Sequence, residues 1–562
     1  MLSFNLPYLK KKEQTIRILF YSFWMILNLL QAGFTDLLYD EAYYWVCSRE
    51  IDWGHFYHPP FIDLMIQAGY FLFKSELGVR LFFTLMSTLG IYLLEKLLVR
   101  KDLVLYYAII ASMVFLQVIG ILAAPDIPLF FFTLTFYMIF RKHIEKESLI
   151  TTILLAVNTA LLLYIKYHGI QVIIFTFLIN FGYLAKSWRS YLWILLSVAL
   201  FVPHILWQVE NGFPTIAFHL FERPGGSLLE WKNILDYIPG QILFAGPFVS
   251  IVLFLSLRKV QIENRFEKTL LFNLLAMYGF FLLISIYHHI EINWTVIGIP
   301  PLVILSHKVI SSRENYQKWI YRLLIPSLLV ALFFRIFLIF PGAIPIQRLR
   351  SELHGHTEWA ATLKEASNGL PIVFTSRYQS ASAYAFYSGG DTTYTLNPTQ
   401  RSDYDFFGYE EKLQGKTIYL LTGWRLNEQT DSIPTNKGVQ FGTRIENFRS
   451  YKKVRIIAAE ATKNNYKSPL YTLNIRWENP YPYNITFLEN PNLKSTIGYR
   501  LFRNGEEVKR VDNYLPANAI SFQQDSEVSI EVKEEGDYEL QFYLQTGYVI
   551  PYPVSRIFKF TI

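Results

Sequence analysis

Residues 103–122 read LVLYYAIIASMVFLQVIGIL, a run of twenty amino acids without a charged side chain. A helix of about 20 apolar residues is long enough to cross the hydrocarbon core of a bilayer. Similar stretches recur along residues 15–340, and they predict eleven spans. These lie at 15–35, 79–98, 103–122, 128–140, 149–166, 169–185, 190–207, 239–257, 269–287, 295–310 and 319–340. The expected fold class is therefore a polytopic α-helical membrane protein.

The composition agrees with this class. Of 562 residues, 52% are hydrophobic and only 17% are charged, against about a quarter in soluble domains. So apolar a chain is neither disordered nor a low-complexity fibre. Its one cysteine, Cys47, excludes an internal disulfide framework and a thiolate zinc cluster. The net charge of +7 is not clustered on one face, so no nucleic-acid partner is predicted.

Lysine and arginine cluster in alternate loops between the predicted spans. The clusters are Lys10 to Lys12 with Arg17, Arg100 with Lys101, Arg141 with Lys142 and Lys146, Lys186 with Arg189, Arg258 to Lys268, and Lys308 to Arg322. By the positive-inside rule these loops are cytoplasmic, which predicts a cytoplasmic N-terminus and an outer C-terminal region. No cleaved signal is expected. The apolar stretch 60–75 carries Asp63 and Lys74, which predicts an interfacial helix.

The long apolar runs end near residue 341. Residues 346–448 combine a predicted helix, His354–Ser367, with strands at Pro371–Thr375 and Thr417–Leu421, which indicates a small α/β domain. Residues 449–562 contain short strands at Val454–Ala459, Leu470–Trp477, Ser495–Phe502, Glu527–Val532, Tyr538–Leu544 and Ser555–Ile562. This spacing is typical of an antiparallel β-sandwich. With the membrane domain 1–345, three domains are expected.

Ionisable groups gather in the loops predicted to face outward. The pair Asp40-Glu41 follows the first span and can supply a general base, or can simply lie in an interfacial aromatic belt. Asp126, which lies between Pro125 and Pro128, is either a third candidate catalytic carboxylate or only the cap of a helix. Lys166 can bind a phosphate or snorkel to the interface. Arg223 can clamp a phosphate or pair with Glu222.

The weaker signals are histidines. His58 precedes Pro59-Pro60, whose rigid turn can aim the imidazole. His288, His289 and Glu291 cluster before Asn293-Trp294, but no spaced ligand motif such as HExxH is present, so no metal site is predicted.

Seven motifs follow one another along residues 15–345. They are Asp40-Glu41-Ala-Tyr-Tyr-Trp, Gly54-x-x-x-His58-Pro59-Pro60, Gly78-Val79-Arg80, Pro125-Asp126-x-Pro128, Lys166-Tyr167-x-Gly169, Phe218-His219-x-x-x-Glu222-Arg223 and Asn293-Trp294. In this order they resemble the bacterial C-type (GT-C) membrane glycosyltransferases related to aminoarabinose transferase and protein O-mannosyltransferases. Residues 377–405 resemble the soluble domain that follows the spans in many such proteins.

The resemblance implies transfer of a sugar from a polyprenyl-phosphate carrier to a hydroxyl or phosphate group of a lipid, glycan or protein. The reaction would take place on the periplasmic side of the bacterial inner membrane, with inversion. The implied catalytic residues are Asp40, Glu41 and Asp126, and the implied donor-phosphate ligands are His58, Lys166 and Arg223. The implied substrate-binding residues are Tyr43, Tyr167, His168, His219, Glu222, Asn293 and Trp294.

The chain departs from the family before the Pro-Pro pair. The relatives have a phosphate-contacting lysine where this sequence has His58, and an acidic residue where it has Tyr57. A candidate metal ligand is thereby lost, so no cofactor is expected.

Two alternatives belong to other functional classes: a transporter or flippase of lipid-linked saccharides, and a membrane-anchored carbohydrate-binding protein. A transporter buries ionisable groups near the bilayer midplane. The predicted spans are almost free of carboxylates, and Glu95 lies near a cytoplasmic end. This favours chemistry at the membrane surface. The intact set of Asp40, Asp126, Lys166 and Arg223 argues against a purely binding role.

Overall fold

The computed structural model describes residues 6–100, 102–218, 231–397, 400–463, 470–481, 495–516, 526–531, 536–546, 549 and 551–561. The chain forms two compact units, Met1–His354 and Gly355–Ile562. The first is helical and the second contains the strands, so the expected fold class is confirmed. The sequence-based division of the second part near residue 448 stays a prediction.

The first unit contains seventeen helices among the residues described. They are α1 (Leu6–Phe34), α2 (Tyr39–Cys47), α3 (Phe61–Leu72), α4 (Glu76–Leu97), α5 (Leu103–Ala111), α6 (Val114–Val118), α7 (Asp126–Glu145), α8 (Leu149–Ile165), α9 (Gly169–Leu184), α10 (Trp188–Glu210), α11 (Pro214–Ala217), α12 (Trp231–Phe244), α13 (Val249–Ser256), α14 (Arg265–Ser285), α15 (Ile299–Ile310), α16 (Glu314–Ile339) and α17 (Gln347–Leu353). Helix α4 packs against α1, α3 and α7, while α8 packs against both α7 and α10. All twelve residues of α15 are buried, which makes it a central helix.

Six helices of the described chain are long and apolar enough to cross a membrane. Two further candidates are bent pairs: α5 with the segment 114–121, at 71°, and α12 with the segment 249–259, at 100°. The predicted spans 149–166 and 169–185 correspond to the shorter apolar helices α8 and α9, and 128–140 lies within α7. The count of eleven spans stays a prediction.

Polar side chains start several helices at the loops predicted to be cytoplasmic. Asp102 accepts a hydrogen bond from Leu105 N at 3.1 Å before α5, and Asn264 accepts one from Glu267 N at 2.9 Å before α14. Ser148 caps α8 by accepting from Thr151 N at 3.2 Å. These caps satisfy amide groups that the helices leave without a partner, and they fix where each helix begins.

The second unit begins with three helices, α18 (His356–Ala366), α19 (Tyr378–Tyr387) and α20 (Tyr409–Leu413). With them lies a five-stranded sheet of order β2-β1-β3-β5-β4, formed by β1 (Ile372–Phe374), β2 (Thr393–Thr395), β3 (Ile418–Thr422), β4 (Asp431–Thr435) and β5 (Gly438–Ile445). Strands β2, β1 and β3 are parallel, whereas β3, β5 and β4 are antiparallel. The predicted α/β character of this region is observed.

The remaining strands form two antiparallel sheets. One has the order β10-β7-β6 and the other the order β12-β11-β8-β9, with β13 also paired to β11. The strands are β6 (Arg455–Lys463), β7 (Leu470–Glu478), β8 (Thr496–Arg503), β9 (Glu506–Pro516), β10 (Ser526–Glu531), β11 (Asp537–Gln545), β12 (Tyr552–Pro553) and β13 (Phe558–Thr561). All six strands predicted after residue 449 are present, while face-to-face sandwich packing stays a prediction.

Candidate active site

Five segments far apart in the sequence line one pocket of about 750 Å³ in the first unit. They are the start of α2, the loop before α3, residues 119–126, and the α8–α9 junction, together with residues 291–294 from a 3₁₀ turn before α15. Nine predicted site residues line this pocket: Asp40, Glu41, His58, Asp126, Lys166, Tyr167, His168, Asn293 and Trp294. The structure therefore brings most of the predicted site together.

The buried polar centre of the pocket is Asp126, the first residue of α7, which is 2% exposed. Its Oδ1 accepts a hydrogen bond from Lys166 Nζ at 3.0 Å, and its Oδ2 accepts one from Asn293 Nδ2 at 2.8 Å. Lys166, itself 6% exposed, ends the apolar helix α8 without reaching solvent. The ion pair compensates for burial of both charges and holds the ammonium group at the pocket wall.

The two carboxylates of α2 have different environments. Asp40 is exposed and lines the pocket, whereas Glu41 is 2% exposed. Glu41 accepts four hydrogen bonds: from Arg80 Nε at 2.7 Å, Arg80 Nη2 at 2.5 Å, Ala123 N at 2.7 Å and Leu38 N at 2.9 Å. A carboxylate that is saturated in this way positions its neighbours and is poorly placed to take a proton from a substrate.

Arg80 is a structural partner of Glu41 that the sequence presented only as part of a motif. It is fully buried in α4 and also donates to the carbonyl oxygens of Ala32, Thr35 and Asp36, at 3.0, 2.5 and 2.8 Å. The planar guanidinium can serve this many acceptors at once. Arg80 therefore joins the end of α1 to α2, and Glu41 extends the connection to the wall at Ala123.

Aromatic rings cover the side of the pocket next to Asp40. The ring of Tyr44 lies 5.6 Å from that of His58, and Tyr57 also lines the pocket. Burial raises the pKa of Tyr44 well above its usual value, and the nearby charges of Asp40 and Asp126 raise it further. The Tyr44 phenol therefore stays neutral and can act only as a hydrogen-bond donor or acceptor.

Another part of the pocket wall is formed by the α8–α9 junction and Trp294. The His168 ring lies 5.1 Å from that of Trp294 and 5.6 Å from that of Phe281. Half-buried aromatic faces beside polar groups are suited to the apolar faces of a ring-shaped ligand. Tyr167 Oη lies 2.8 Å from Nε2 of His204, a residue that sequence reasoning missed because it lies inside a predicted span.

Four predicted site residues do not line this pocket. Tyr43 is buried at 2% exposure, with its ring 6.3 Å from that of Tyr57 behind the wall. His219, Glu222 and Arg223 lie outside the described residues, so their assignments stay predictions.

The carboxylates of the pocket differ in what they can offer to a cation. Asp126 and Glu41 already accept hydrogen bonds on both oxygens, whereas Asp40 and Glu291 are exposed. His289 Nε2 lies 3.9 Å from Glu291 Oε1, and both side chains are exposed. Tyr57 supplies a phenol where the resemblance expects a carboxylate. The pocket therefore has one carboxylate fewer than the resemblance implies.

The fold is similar to that of a solved membrane protein, and part of the sequence matches a known family model. Residues 57–207 match the family model described as dolichyl-phosphate-mannose-protein mannosyltransferase. Two crystal structures of ArnT from Cupriavidus metallidurans, one apo and one bound to undecaprenyl phosphate, match with a TM-score of 0.58 and 15% sequence identity. They cover 77% and 76% of this chain and 98% of ArnT. No curated protein matches this sequence. The resemblance seen in the sequence is thereby confirmed at the level of the fold.

Proposed function

We propose that this protein is a membrane glycosyltransferase that moves a sugar from a polyprenyl-phosphate donor to an acceptor hydroxyl or phosphate group on the periplasmic side of the bacterial inner membrane, with inversion. The observation that carries the proposal is one pocket lined by an exposed carboxylate, Asp40, and a buried ammonium group, Lys166. Transfer of a sugar from a phosphate carrier requires a base for the acceptor hydroxyl and a cation for the departing phosphate, and both groups line this pocket.

Lys166 is the proposed ligand of the donor phosphate. Asp126 is the one hydrogen-bond partner of the Lys166 ammonium group among the described residues, so two of its three N–H groups can bind phosphate oxygens. Its burial strengthens that contact, because charges interact more strongly away from water. His58, half-exposed on the same pocket, is the second proposed phosphate contact, and Arg223 is proposed from its sequence motif.

Asp40 is the proposed general base. Its carboxylate takes the proton from the acceptor hydroxyl as that oxygen forms a bond to the anomeric carbon. The bond from this carbon to the phosphate oxygen breaks in the same step, and the polyprenyl phosphate departs with an additional negative charge. Lys166 stabilises that charge as it develops. A single displacement of this kind inverts the anomeric centre.

Two comparisons support the class of donor. ArnT has been crystallised with undecaprenyl phosphate, and the matching family model is named for a dolichyl-phosphate sugar. Both lipids present a polyprenyl chain and a phosphate. The aromatic wall of Tyr167, His168 and Trp294 is the proposed contact for the sugar ring or the acceptor. We also propose that transfer needs no metal ion, because Tyr57 replaces the expected carboxylate.

The first experiment identifies the donor. A lipid extract from a deletion strain should accumulate one polyprenyl-phosphate sugar, while one envelope glycan loses that sugar. The purified lipid then serves in single-turnover transfer with the purified protein. A strain in which the same lipid accumulates only on the cytoplasmic leaflet would instead indicate a flippase.

Variants test the roles of the two residues. Asp40→Asn should retain folding and donor binding but transfer about 10²-fold more slowly or worse, because an amide cannot accept the proton. Lys166→Ala should weaken donor binding as well as slow transfer, because its charge meets the phosphate already in the ground state. An Asp40→Asn protein that works within a few-fold of the parent would end the assignment of the base.

A further inference from the structure

The end of α10 contains three buried polar side chains that were given no role above. His204, Trp207 and Gln208 are 1%, 5% and 5% exposed. They contact two segments that lead into the pocket: residues 52–54, just before Tyr57 and His58, and Tyr167, which lies between Lys166 and His168.

The hydrogen bonds of His204 define the tautomer of its neutral ring. Its Nδ1 lies 2.8 Å from the carbonyl oxygen of Trp53, which can only accept, so Nδ1 carries a hydrogen. In the neutral ring Nε2 is then an acceptor, and it lies 2.8 Å from Tyr167 Oη. The Tyr167 hydroxyl donates to it and accepts in turn from Gln208 Nε2 at 3.2 Å. One arrangement of hydrogens satisfies all three bonds.

Trp207 holds the same loop by a second contact. Its indole Nε1 donates to Asp52 Oδ2 at 2.8 Å. The backbone at Gly54 lies so close to the indole face that an added Cβ would be 2.3 Å from a ring atom. Residues 52–54 are therefore held directly against α10, and Gly54 is required by that approach.

We propose that His204 is a positioning residue that fixes the separation of two pocket walls, one carrying Tyr57 and His58 and the other carrying Lys166, Tyr167 and His168. A single neutral imidazole bonds to both segments, so a change in either bond shifts one wall relative to the other. The expected kinetic consequences rest on the proposed transfer reaction, whereas the structural consequences do not.

The variants separate the two bonds. In His204→Asn the amide nitrogen replaces Nδ1 and keeps the bond to Trp53, while in His204→Gln the longer amide reaches the position of Nε2 and keeps the bond to Tyr167. His204→Phe keeps a ring and loses both bonds. His143 offers a matched control, because it is also fully buried in a helix and its Nδ1 lies 2.9 Å from Thr151 Oγ1. It lies near the end of α7, whereas Asp126 of the pocket is the first residue of that helix.

Hydrogen exchange measured by mass spectrometry on the full chain gives a readout that does not depend on activity. His204→Phe should increase exchange in both 52–58 and 166–170, His204→Asn mainly in 166–170, and His204→Gln mainly in 52–58. His143→Phe should leave both segments at the parental level. Parental exchange in all His204 variants, or an equal increase in His143→Phe, would overturn the proposal.

Kinetics give the second readout. With the purified donor, His204→Phe should raise KM for the donor about tenfold, the usual scale for a residue that acts through its neighbours. His143→Phe, at a buried histidine that contacts neither segment, should leave KM for the donor at the parental value. A parental KM in His204→Phe, or an equal rise in His143→Phe, would contradict the positioning role. If no polyprenyl-phosphate sugar is a substrate, the exchange pattern still decides the role of His204.

Discussion

Asp40 and Glu41 are adjacent, yet a helix directs successive side chains about 100° apart. Both residues line the pocket, but Glu41 is buried and bonded to Arg80, whereas Asp40 is exposed. The two carboxylates, although chemically similar, therefore have different environments. Glu41 neutralises the buried guanidinium and fixes the pocket wall through Ala123 N, while Asp40 is the proposed general base.

This difference predicts opposite effects on stability. Glu41→Gln leaves the Arg80 charge buried without a counter-charge and turns an NH₂ group toward donors, so the free energy of unfolding should fall by about 3–5 kcal/mol. Asp40→Asn, on the exposed side, should change it by less than about 0.5 kcal/mol. Denaturant unfolding of the purified variants in detergent measures both. Equal stabilities for the two variants would mean that Glu41 is not the structural partner.

Glu410 in the second unit predicts a pH effect. It is fully buried, and both Ser450 Oγ and Tyr481 Oη donate to its Oε1, with Lys453 Nζ 3.8 Å from Oε2. Burial raises the pKa of this carboxyl above its ordinary value of 4.5, against the opposing effect of these hydrogen bonds and of Lys453. The folded state therefore holds a proton that the unfolded state has already released, and the free energy of unfolding falls as pH rises through that window.

Glu410→Gln should flatten this dependence, because the amide keeps an acceptor oxygen and does not titrate. The neighbouring Glu411→Gln, at a more exposed carboxylate bonded to Lys453, should keep the parental slope. Thermal resistance of the second unit to proteolysis in the intact protein, measured from pH 4 to 8, distinguishes the variants. A parental slope in Glu410→Gln would show that another group titrates.

At the residue scale, the sequence predicted the residues that line the pocket better than the residues that hold them in place. Asp40, Asp126 and Lys166 could be found because each interrupts an apolar pattern near the end of a span. The structural role of Glu41 could not, since its partner Arg80 is 39 residues away. His204 was hidden for a different reason: a lone histidine within an apolar run gives no sign of its partners.

At the scale of elements, the uncharged stretch 103–122 was predicted as one span but is bent by 71° between α5 and α6. Hydropathy depends on composition alone and therefore does not reveal a bend within an apolar stretch. Gln117 donates to Ala111 O across the bend at 2.8 Å and accepts from Arg335 Nε of α16 at 2.8 Å. A distant arginine therefore holds the bend, from which the pocket wall 119–126 continues.

Strands with a continuous apolar sequence, such as β1 and β3, or with alternating apolar and polar residues, such as β11, were predicted, whereas several others were missed. Asn504 and Gly505 form a turn, and both residues have positive φ, 53° and 83°. The strand that follows it, β9, was missed because its sequence EEVKRVDNYLP is rich in charge. Strands β4 and β5 were missed as well. These segments form strands because they pair with adjacent strands, and such pairing cannot be read from the sequence.

Two glycines of α9 give a prediction about how this helix meets α8. A Cβ at Gly169 would lie 2.6 Å from Leu162 O and 2.9 Å from Leu162 C, which are backbone atoms of α8, whereas a Cβ at Gly182 meets nothing within 4 Å. Gly169→Ala should therefore displace the junction that carries Lys166, lowering both Tm and donor affinity. Gly182→Ala should be neutral or stabilising by up to about 1 kcal/mol. Similar Tm values for the two variants would refute the close contact.

At the scale of the whole molecule, the charge pattern of the loops predicts the orientation of the chain. Lysine and arginine clusters place the N-terminus and the loop before α16 in the cytoplasm, and place residues 288–294 and 341–562 outside. This orientation would put the pocket, which includes Glu291, Asn293 and Trp294, at the periplasmic surface where the proposed reaction takes place.

Engineered thiols test that orientation. The native Cys47 is 2% exposed and would escape an aqueous thiol reagent on either side, so it is first replaced by alanine. In that background His288→Cys, at an exposed position of the loop predicted outside, should react with a membrane-impermeant maleimide in intact spheroplasts. Glu314→Cys, where the native side chain is 86% exposed at the start of α16, should react only after permeabilisation. The reverse pattern would invert the topology, place the pocket on the cytoplasmic side and rule out transfer in the periplasm.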